Sequence, residues 1–505
     1  MRLAGLLEGV DAVRIAGDPQ VEVSGICHDS RSLNPGDLFV AWRGQRYDAH
    51  AFVPAALAAG AAAVMVEQAD ALPGVLAPGH AAVLVRDTRA AVGPVSAALY
   101  GYPTAHLRLV GITGTNGKTT TAFLTRAVLQ ELGPVGLVGT VVSVVGAESR
   151  RARLTTPEAP DLQRLFQDMV GSGDLACVME VSSQSLARHR VDGSAFDVGV
   201  FTNLTPDHLG PGEHPSFHHY RESKARLFSL LGQTPRGAAR KDVPRGAALN
   251  WDDPNAARMA EAVPRGVPVL RFGLGADADV VATDVELDPT GARFAIRHPG
   301  GVTRCQLALS GRFNVYNALG AFSVGMLYGV EAERAAEALG RVRGVPGRLE
   351  QVPGPQPFTV LIDYAHTPDG LENVLQAARE FTRGRVVAVF GCGGDRDRTK
   401  RPLMGEIGVR LADLVWLTSD NPRTEPPQAI LAEVEAGAAR VSGGHYHVCV
   451  DRRQAIGEAL AEARPGDVVV IAGKGHEDYQ IFADRTIHFD DREEAAMALA
   501  RLGYR

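Results

Sequence analysis

Residues 107–129 read LRLVGITGTNGKTTTAFLTRAVL, and this stretch decides the fold of the chain. An apolar run is followed by a glycine-containing turn and then by a segment typical of a helix. In such a turn, backbone N–H groups can surround phosphate oxygens, Lys118 supplies a positive charge and the Thr119 hydroxyl can bind magnesium. The strict phosphate-loop pattern is missed by one glycine, because Ile112 stands at its first position. The stretch still predicts an ATP-binding loop between a strand and a helix.

The same strand-and-helix alternation extends in both directions from this loop. Apolar runs suited to buried parallel strands lie at 176–182 and 197–204, and four more follow after residue 357. A length of 505 residues suggests about three domains. We therefore predict an α/β fold with a small N-terminal α/β domain (1–104), a central P-loop ATPase domain with a mostly parallel sheet (105–344) and a C-terminal Rossmann-like α/β domain (345–505).

Composition excludes several classes of protein. The formal net charge of −6 argues against a nucleic-acid groove built on excess positive charge. The longest charge-free apolar stretch, 51–66, is shorter than the roughly 20 residues of a membrane span and contains Pro54 and Gly60. Glu8 and Asp11 interrupt any signal-peptide core, and the five cysteines are widely spaced without a C-x-x-C pair. We expect a cytoplasmic protein with reduced thiols and no membrane insertion.

Two polar residues follow successive apolar runs. Glu180 ends the run ACVME, and His208 lies shortly after DVGVFTNL. Each alone has an ordinary explanation, a solvated carboxylate at a strand end and a hydrogen-bonded loop histidine. Ligands of parallel sheets bind at the carboxyl ends of the strands, however. The two residues together therefore favour a magnesium site near the phosphate loop.

Short motifs in every part of the chain closely resemble those of the Mur ligases, the ATP-dependent amide-bond-forming enzymes of peptidoglycan synthesis. The shared motifs are TGTNGKTTT (113–121), MEVSSQSL (179–186), GRFNVYNALGA (311–321), PGRLE (346–350) and IDYAHTPDGL (362–371). Further motifs resemble the branch that adds a diamino acid, namely DSRSLNPGDLFVAWRG (29–44), TTPEAPDLQ (155–163), HYRESKARLF (219–228), GGDRDRTKRPLMG (393–405), DNPR (420–423) and AGKGHEDYQ (472–480). The resemblance spans nearly the whole chain.

This resemblance implies a reaction and its substrates. ATP would phosphorylate the carboxylate of UDP-MurNAc-L-Ala-D-Glu, and the amine of a diamino acid would displace phosphate. The resemblance assigns ATP contacts to Gly114, Thr115, Asn116, Gly117, Lys118, Thr119, Thr120, Asn314, Asn317, Arg348 and Asp363. It assigns magnesium contacts to Thr119, Glu180, His208 and a carbamylated Lys224, and catalysis to Lys118, Glu180, His208 and Lys224. From the residues alone, Lys224 would be a surface lysine, 314–317 a helix start and Asp363 a helix cap. We expect a monomer whose partners are these small molecules.

The remaining implied contacts concern the other two substrates. Those to the nucleotide-sugar peptide are Ser30, Gln45, Arg46, Tyr47, Thr155, Thr156, Ser182, Arg188 and Arg190, although many relatives carry Gln where this chain has Arg188. Those to the amino acid are Arg396, Asp420, Asn421, Pro422, Arg423, Gly473 and Glu477. The segment 211–214 also resembles a short insertion, which changes the loop that follows His208.

The motif DNPR at 420–423 favours meso-diaminopimelate as the amino acid. Arg423 can pair with a distal carboxylate, whereas lysine and ornithine end in an ammonium that an arginine repels. Some relatives keep this arginine yet accept lysine or ornithine, so these two amino acids remain alternatives, and Arg423 could simply cap a turn. More distant alternatives are a folylpolyglutamate synthase-like ligase and a non-catalytic ATP-binding regulator.

Overall fold

A computed structural model describes residues 1–44, 47–207, 209–210 and 213–504. By spatial contact the chain divides into two units, Met1–Val280 with Gly320–Ala332, and Val281–Leu319 with Glu333–Arg505. The α-helices of the described residues are α1 (Leu3–Leu6), α2 (Val53–Ala58), α3 (Thr88–Leu99), α4 (Lys118–Leu129), α5 (Ala159–Gly171), α6 (Ser183–Ala187), α7 (Phe217–Ser229), α8 (Ala256–Ala262), α9 (Arg312–Leu327), α10 (Ala332–Arg341), α11 (Pro368–Phe381), α12 (Lys400–Leu411), α13 (Pro427–Ala438), α14 (Arg452–Glu462) and α15 (Asp491–Arg501).

The strands alternate with these helices over most of the chain. They are β1 (Ala12–Gly17), β2 (Gly25–Cys27), β3 (Asp37–Val40), β4 (Ala63–Val66), β5 (Ala81–Val85), β6 (Arg108–Thr113), β7 (Val135–Val138), β8 (Val142–Val145), β9 (Glu148–Arg151), β10 (Ala176–Glu180), β11 (Val198–Phe201), β12 (Gly246–Asn250), β13 (Val269–Gly273), β14 (Val280–Asp288), β15 (Gly291–His298), β16 (Gly301–Leu307), β17 (Glu350–Gln351), β18 (Thr359–Asp363), β19 (Val386–Phe390), β20 (Leu414–Leu417), β21 (Tyr446–Val448), β22 (Val468–Ala472), β23 (Tyr479–Ile481) and β24 (Thr486–His488).

The first unit contains two sheets. The N-terminal sheet has the order β1-β5-β4-β3-β2, with only β1 antiparallel to its neighbour. The larger sheet places β6 between β11 and β10, and its strands from β13 through β7 are parallel. Strands β8 and β9 extend it as an antiparallel edge. The phosphate-loop strand β6 is therefore central, with Glu180 at the carboxyl end of its neighbour β10.

The buried faces of these strands explain why they form. Residues of β10 and β11 are buried along their whole length, as expected for parallel strands covered on both faces. Their side chains pack with Phe166, Phe196 and Phe228 into one hydrophobic cluster. Gly111 in β6 fits because an added Cβ would lie 2.8 Å from the Phe196 ring. Close packing of β6 against the surrounding residues fixes where the phosphate loop begins.

The second unit carries the amino-acid motifs. Strands β14, β15 and β16 form antiparallel pairs. A separate sheet has the order β17-β18-β22-β19-β20-β21, parallel except for β17. Both faces of this sheet are covered by apolar clusters, one of which includes α11, α12 and α13 residues and the other α14 and α15 residues. The motifs 420–423 and 472–480 follow the carboxyl ends of β20 and β22.

The predicted α/β class with three domains of mostly parallel sheet is confirmed. The boundaries proposed at 104/105 and 344/345 stay predictions. Every buried strand expected after residue 357 is present, as β18, β19, β20 and β22. The expectation that Asp363 caps a helix is wrong, because Thr367 caps α11 and Asp363 instead accepts hydrogen bonds from the backbone N–H groups of Leu349 and Ala365. None of the helices in the described ranges is long and apolar enough to cross a bilayer.

Candidate active site

The phosphate loop joins β6 to α4 through two glycines with left-handed backbone angles. Gly114 has φ +156°, and an added Cβ would lie 1.9 Å from the Thr202 hydroxyl oxygen. Gly117 has φ +83° and precedes the first residue of α4. Asn203 holds the loop through two hydrogen bonds to the backbone of Asn116. Its Oδ1 accepts from the Asn116 N–H at 2.9 Å, and its Nδ2 donates to the Asn116 carbonyl at 3.2 Å. The loop is thus shaped by its glycines and held from the next strand.

Two lysine amines meet at one carbonyl oxygen of this loop. Lys118 Nζ donates to the carbonyls of Gly114 at 2.9 Å and Thr115 at 2.8 Å. Lys224 Nζ, on α7, donates to the same Gly114 carbonyl at 2.7 Å. Lys224 is 1% exposed, so it is not the surface lysine that its local sequence suggests. Burial, reinforced by the Lys118 charge, lowers the pKa of Lys224 well below its usual value.

The carboxylate of Glu180 accepts hydrogen bonds from two threonines in separate parts of the chain. Thr119, in the first turn of α4, donates to Oε2 at 2.9 Å. Thr140, after β7, donates its N–H to Oε1 at 2.7 Å and places its hydroxyl 3.0 Å from Oε2. The Thr140 hydroxyl also lies 3.1 Å from the Thr155 hydroxyl. Thr140 therefore links Thr155, predicted for the nucleotide-sugar peptide, to the buried Glu180 carboxylate that Thr119 also contacts.

A second set of contacts ties Thr156, Ser182 and Arg190 to the same strand end. The Thr156 hydroxyl donates to the Glu180 carbonyl at 2.8 Å and accepts from the Ser182 N–H at 3.1 Å. Arg190 donates to the Thr156 carbonyl at 3.2 Å and pairs with Glu158 at 2.8 Å. Arg188 is the residue that caps the carboxyl end of α6. These predicted substrate residues form one polar surface beside Glu180.

Other predicted contacts of the first unit lie apart or outside the described residues. Ser30 begins a short 3-10 helix capped by Asp29, and Tyr47 is 74% exposed. Among the described residues, no hydrogen bond joins these two to the phosphate loop. Gln45, Arg46 and His208 lie outside the described residues, as does part of the predicted insertion at 211–214.

The oxygens of Thr119 and Glu180 suit magnesium, a hard cation that prefers hydroxyl and carboxylate ligands. Their separation of 2.9 Å would let both face one ion. Within the described ranges, no group of three or more His, Cys, Asp or Glu residues forms a metal site. Thr119 and Glu180 would hold a magnesium ion together with phosphate oxygens of ATP.

Several site residues were not found from the sequence. Thr140 was not predicted as a site residue, because nothing in its local sequence indicates that it contacts Glu180. Tyr220 places its hydroxyl 3.0 Å from the Thr115 hydroxyl, and its ring lies 4.5 Å from Lys224 Nζ. His214 is 1% exposed, with its ring nitrogens 2.9 Å from the Ser183 hydroxyl and 2.8 Å from His219 Nδ1. The motif MEVSSQSL could have suggested Ser183, but only the fold brings His214 to it.

The second unit holds the other predicted ATP contacts. Asn314 and Asn317 lie in the first turns of α9, both buried, and the Asn317 amide donates to Asn314 Oδ1 at 3.0 Å. The expectation of a helix start at FNVYN is therefore correct. Arg348 lies over the Tyr364 ring at 5.0 Å. Burial raises the pKa of Asp363, although Arg348 and backbone N–H groups oppose the shift.

The predicted amino-acid residues converge at the carboxyl ends of β20 and β22. Asn421 donates to Glu477 Oε2 at 2.9 Å and accepts from the Ile481 N–H at 3.0 Å. An added Cβ on Gly473, where φ is +117°, would lie 2.8 Å from Asp420 Oδ2. Burial and the neighbouring Asp420 charge raise the pKa of Glu477. These residues form one polar cluster with two carboxylates, called the amino-acid pocket below because of the substrate that the resemblance assigns to it.

Two arginines border this pocket. An added Cβ on Gly393 would lie 2.8 Å from Arg423 Nη1 and 3.7 Å from Arg396 Cγ, so both side chains flank this glycine. Arg423 has φ +53° and donates from Nη1 to the Gly394 carbonyl at 2.8 Å. Its Nε and Nη2 have no protein acceptor among the described residues. Arg423 therefore shapes its turn, as the alternative interpretation held, and keeps donors for a carboxylate. Pro422 is buried beside Gly394.

Comparisons with known proteins agree across the chain. Residues 22–100 match "Mur ligase family, catalytic domain", residues 112–325 match "Mur ligase middle domain" and residues 347–475 match "Mur ligase, glutamate ligase domain". A UDP-N-acetylmuramyl-tripeptide synthetase of Roseiflexus sp. is 45% identical over 96% of each chain. A UDP-N-acetylmuramoyl-L-alanyl-D-glutamate--2,6-diaminopimelate ligase of Gloeobacter violaceus is 44% identical over 99% of this chain and 98% of its own. A solved structure of a ligase with the same name as the latter superposes with a TM-score of 0.70, at 31% identity and full coverage of both chains.

Proposed function

Because the chain belongs to the Mur ligase family, we propose that it is the ATP-dependent ligase that joins a diamino acid to the D-glutamate of UDP-MurNAc-L-Ala-D-Glu. The observation that carries this proposal is the network at Glu180. There a phosphate-loop hydroxyl, Thr119, and a predicted substrate residue, Thr155, are linked through Thr140 and one carboxylate. Such a link would bring the phosphoryl donor and the acceptor carboxylate to the same strand end.

The chemistry requires this proximity. A carboxylate is a poor acyl electrophile, so one of its oxygens first attacks the γ-phosphorus of ATP, which forms an acyl phosphate and releases ADP. The amine of the amino acid then attacks the acyl carbon, and inorganic phosphate leaves as the amine loses a proton. Lys118 would offset the charge of the transferring phosphoryl group, and backbone N–H groups of the loop would hold its oxygens. Magnesium, bound through Thr119 and Glu180, would supply additional charge compensation.

We propose that Lys224 is carbamylated in the active protein. Its amine is 1% exposed and lies beside the Lys118 amine at a shared carbonyl, an arrangement that disfavours two positive charges. An unprotonated amine can attack carbon dioxide and release one proton to solvent, which forms a carbamate with a negative charge. That change replaces an amine with an anion, which would support the magnesium ion that accompanies the phosphates. His208 stays a proposed magnesium ligand on the resemblance alone.

We propose meso-diaminopimelate as the amino acid. Arg423 and Arg396, which flank Gly393, and the carboxylates of Asp420 and Glu477 would provide both charges that such a substrate needs. A lysine or ornithine side chain would place an ammonium where Arg423 presents donors. We also propose ATP contacts by Arg348, Asp363, Asn314 and Asn317, and a monomeric cytoplasmic protein. These proposals rest on the family resemblance.

A phosphate-release assay tests the proposal. We expect release of phosphate only when ATP, UDP-MurNAc-L-Ala-D-Glu and an amino acid are all present, and faster release with meso-diaminopimelate than with L-lysine or L-ornithine in parallel reactions. Release that needs neither the nucleotide-sugar nor the amino acid would contradict the ligase. Equal rates with the three amino acids would contradict the assignment of the amino acid only.

A folate-dependent ligase is the alternative from outside cell-wall synthesis. The match to all three Mur ligase domains, and relatives aligned over 96% or more of this chain, favour the muramoyl substrate. Replacing the nucleotide-sugar peptide with a folate and L-glutamate in the same assay should give no phosphate release.

A further inference from the structure

A fully buried ion pair lies beneath the proposed amino-acid pocket. Arg452, the first residue of α14, and Asp491, the first residue of α15, have side chains with 0% exposure. Their contact is bidentate, with Nε to Oδ1 and Nη2 to Oδ2 both at 2.7 Å. Removing two charges from water offsets most of their attraction, so such a pair contributes little more stability than apolar residues of the same size. Stability alone therefore does not explain this arrangement.

The same guanidinium also contacts two strand ends. Arg452 Nη2 donates to the carbonyl of Ala472 at 2.9 Å, and Nη1 lies 3.4 Å from the carbonyl of Ser419. Ala472 is the last residue of β22, and Ser419 follows β20. The residues that come next are Gly473 and Asp420, which both belong to the proposed pocket.

The sheet itself does not join these two strands. In the order β18-β22-β19-β20, strand β19 pairs with both β22 and β20, so these two strands are joined only through β19 and no direct ladder links their ends. Arg452 spans that gap. The spacing is tight, because a Cβ on Gly473 would lie 2.8 Å from Asp420 Oδ2. A small change in the separation of the strand ends would therefore change the pocket.

The charge of Arg452 also reaches the pocket. Burial lowers the pKa of Arg452, but Asp491, with Asp420 and Glu477, outweighs burial and raises it. The guanidinium therefore stays charged beneath two pocket carboxylates. These two carboxylates repel each other, since the Asp420 charge raises the pKa of Glu477 while Lys474 opposes that shift.

We propose that Arg452 is a positioning residue that, held by Asp491, sets the separation of Asp420 and Gly473 and so determines the affinity for the amino acid. This inference rests on the proposed function of the pocket. Arg452 touches no substrate in this account and acts through the two strand ends.

The test is the double variant Arg452→Met/Asp491→Leu, which avoids leaving one buried charge without its partner. The double variant should stay folded, with a circular dichroism spectrum like that of the wild type. Its KM for meso-diaminopimelate should rise about tenfold or more, as when supporting residues of a site are removed, while its KM for ATP and for the nucleotide-sugar stays within about twofold. Arg452→Lys is the second variant, because it keeps the charge near Asp491 but cannot span both carbonyls. It should show the same selective rise.

Arg385→Lys is the matched control for Arg452→Lys, because it keeps a positive charge beside the buried Asp467. Arg385 pairs with Asp467 and also donates to the Glu462 carbonyl, but it lies at the amino end of β19, away from the pocket. The lysine variant should leave the KM for the amino acid unchanged. An unchanged amino-acid KM in both Arg452 variants, or an equal rise for all three substrates, would overturn the inference. A wild-type protein without amino-acid-dependent phosphate release would instead overturn the proposed function on which the inference rests.

Discussion

Lys224 shows how burial changes the chemistry of one residue. On sequence alone it reads as a solvated lysine on a helix, yet it is 1% exposed and shares the Gly114 carbonyl with Lys118. The carbamate proposed for it would act as an anion. Replacing Lys224 with Ala should therefore lower turnover by at least about a hundredfold, since it removes a group that supports the metal site.

A short-chain carboxylate should restore part of the activity of Lys224→Ala, because it can occupy the space of the missing carbamate. Phosphate release measured over a series of formate and acetate concentrations would show this recovery. Lys118→Ala serves as the control and should not be rescued, because the account assigns Lys118 a cationic role. A Lys224→Ala variant that recovers at no concentration would count against the carbamate.

We expect Arg423 to determine the preference for meso-diaminopimelate over L-lysine. Arg423→Ala should raise the KM for meso-diaminopimelate by about tenfold to a hundredfold, since a charge-assisted hydrogen bond contributes about 1.5–3 kcal/mol. The KM for L-lysine should change far less. Arg398→Ala, which removes an exposed arginine paired with Glu433 in the same region, is the control and should leave both values unchanged. An equal loss for both amino acids in Arg423→Ala would contradict the assignment.

The raised pKa of Glu477 predicts that amino-acid binding depends on pH. Burial and the charge of Asp420 raise its pKa, so Glu477 takes up a proton at a higher pH than an ordinary glutamate. Its ionised form can accept a hydrogen bond from a substrate ammonium, and this form is lost as the pH falls through the raised pKa. The KM for meso-diaminopimelate should therefore rise on the acid side. Glu477→Gln should have a higher KM at neutral pH and a flatter acid limb. An identical acid limb in the wild type and the variant would refute this role.

At the scale of elements, the conformation of the phosphate loop depends on one glycine of its motif, Gly114. Gly114 has φ +156°, and an added Cβ would lie 1.9 Å from the Thr202 hydroxyl. Gly114→Ala should therefore lower the free energy of unfolding by about 1–3 kcal/mol and weaken ATP binding. Thermal unfolding with and without ATP would measure both effects.

Gly171→Ala is the control for that substitution. Gly171 is the last residue of α5, and an added Cβ there meets no atom within 4 Å. Alanine at this helical position should leave ATP binding unchanged and raise the free energy of unfolding by at most about 0.5–1 kcal/mol. A Gly114→Ala protein as stable and as ATP-responsive as Gly171→Ala would contradict the role given to the loop geometry.

Sequence predicted the buried strands well and the contacts between them poorly. Strands such as β10 and β22 are continuous apolar runs, so their positions can be read from local composition. Thr140 could not be found in this way, because its partner Glu180 is 40 residues away and only the order of β7 and β10 in the sheet brings them together. Arg452 was missed for the same reason, since its contacts at β20 and β22 depend on the sheet order. The alternative that placed Asp363 at a helix cap failed because local sequence did not show that Leu349 supplies a backbone partner.

At the scale of the whole molecule, net charge says little about the substrates. The chain carries −6, yet the substrates proposed for it are strongly anionic. In the proposed reaction each unit would meet this charge locally, with Lys118 and Arg190 in the first and Arg396 and Arg423 in the second. Three domains with one proposed substrate each, the nucleotide-sugar, ATP and the amino acid, would explain the length of the chain better than composition does.

In the proposed reaction, ATP activates the D-glutamate carboxylate as an acyl phosphate. The most direct test is a reaction with substrate labelled with oxygen-18 in that carboxylate, in which the inorganic phosphate is analysed by mass spectrometry. One labelled oxygen should pass from the carboxylate to each phosphate released, because the C–O bond breaks when the amine attacks. Amide product accompanied by phosphate that contains no label would contradict the account.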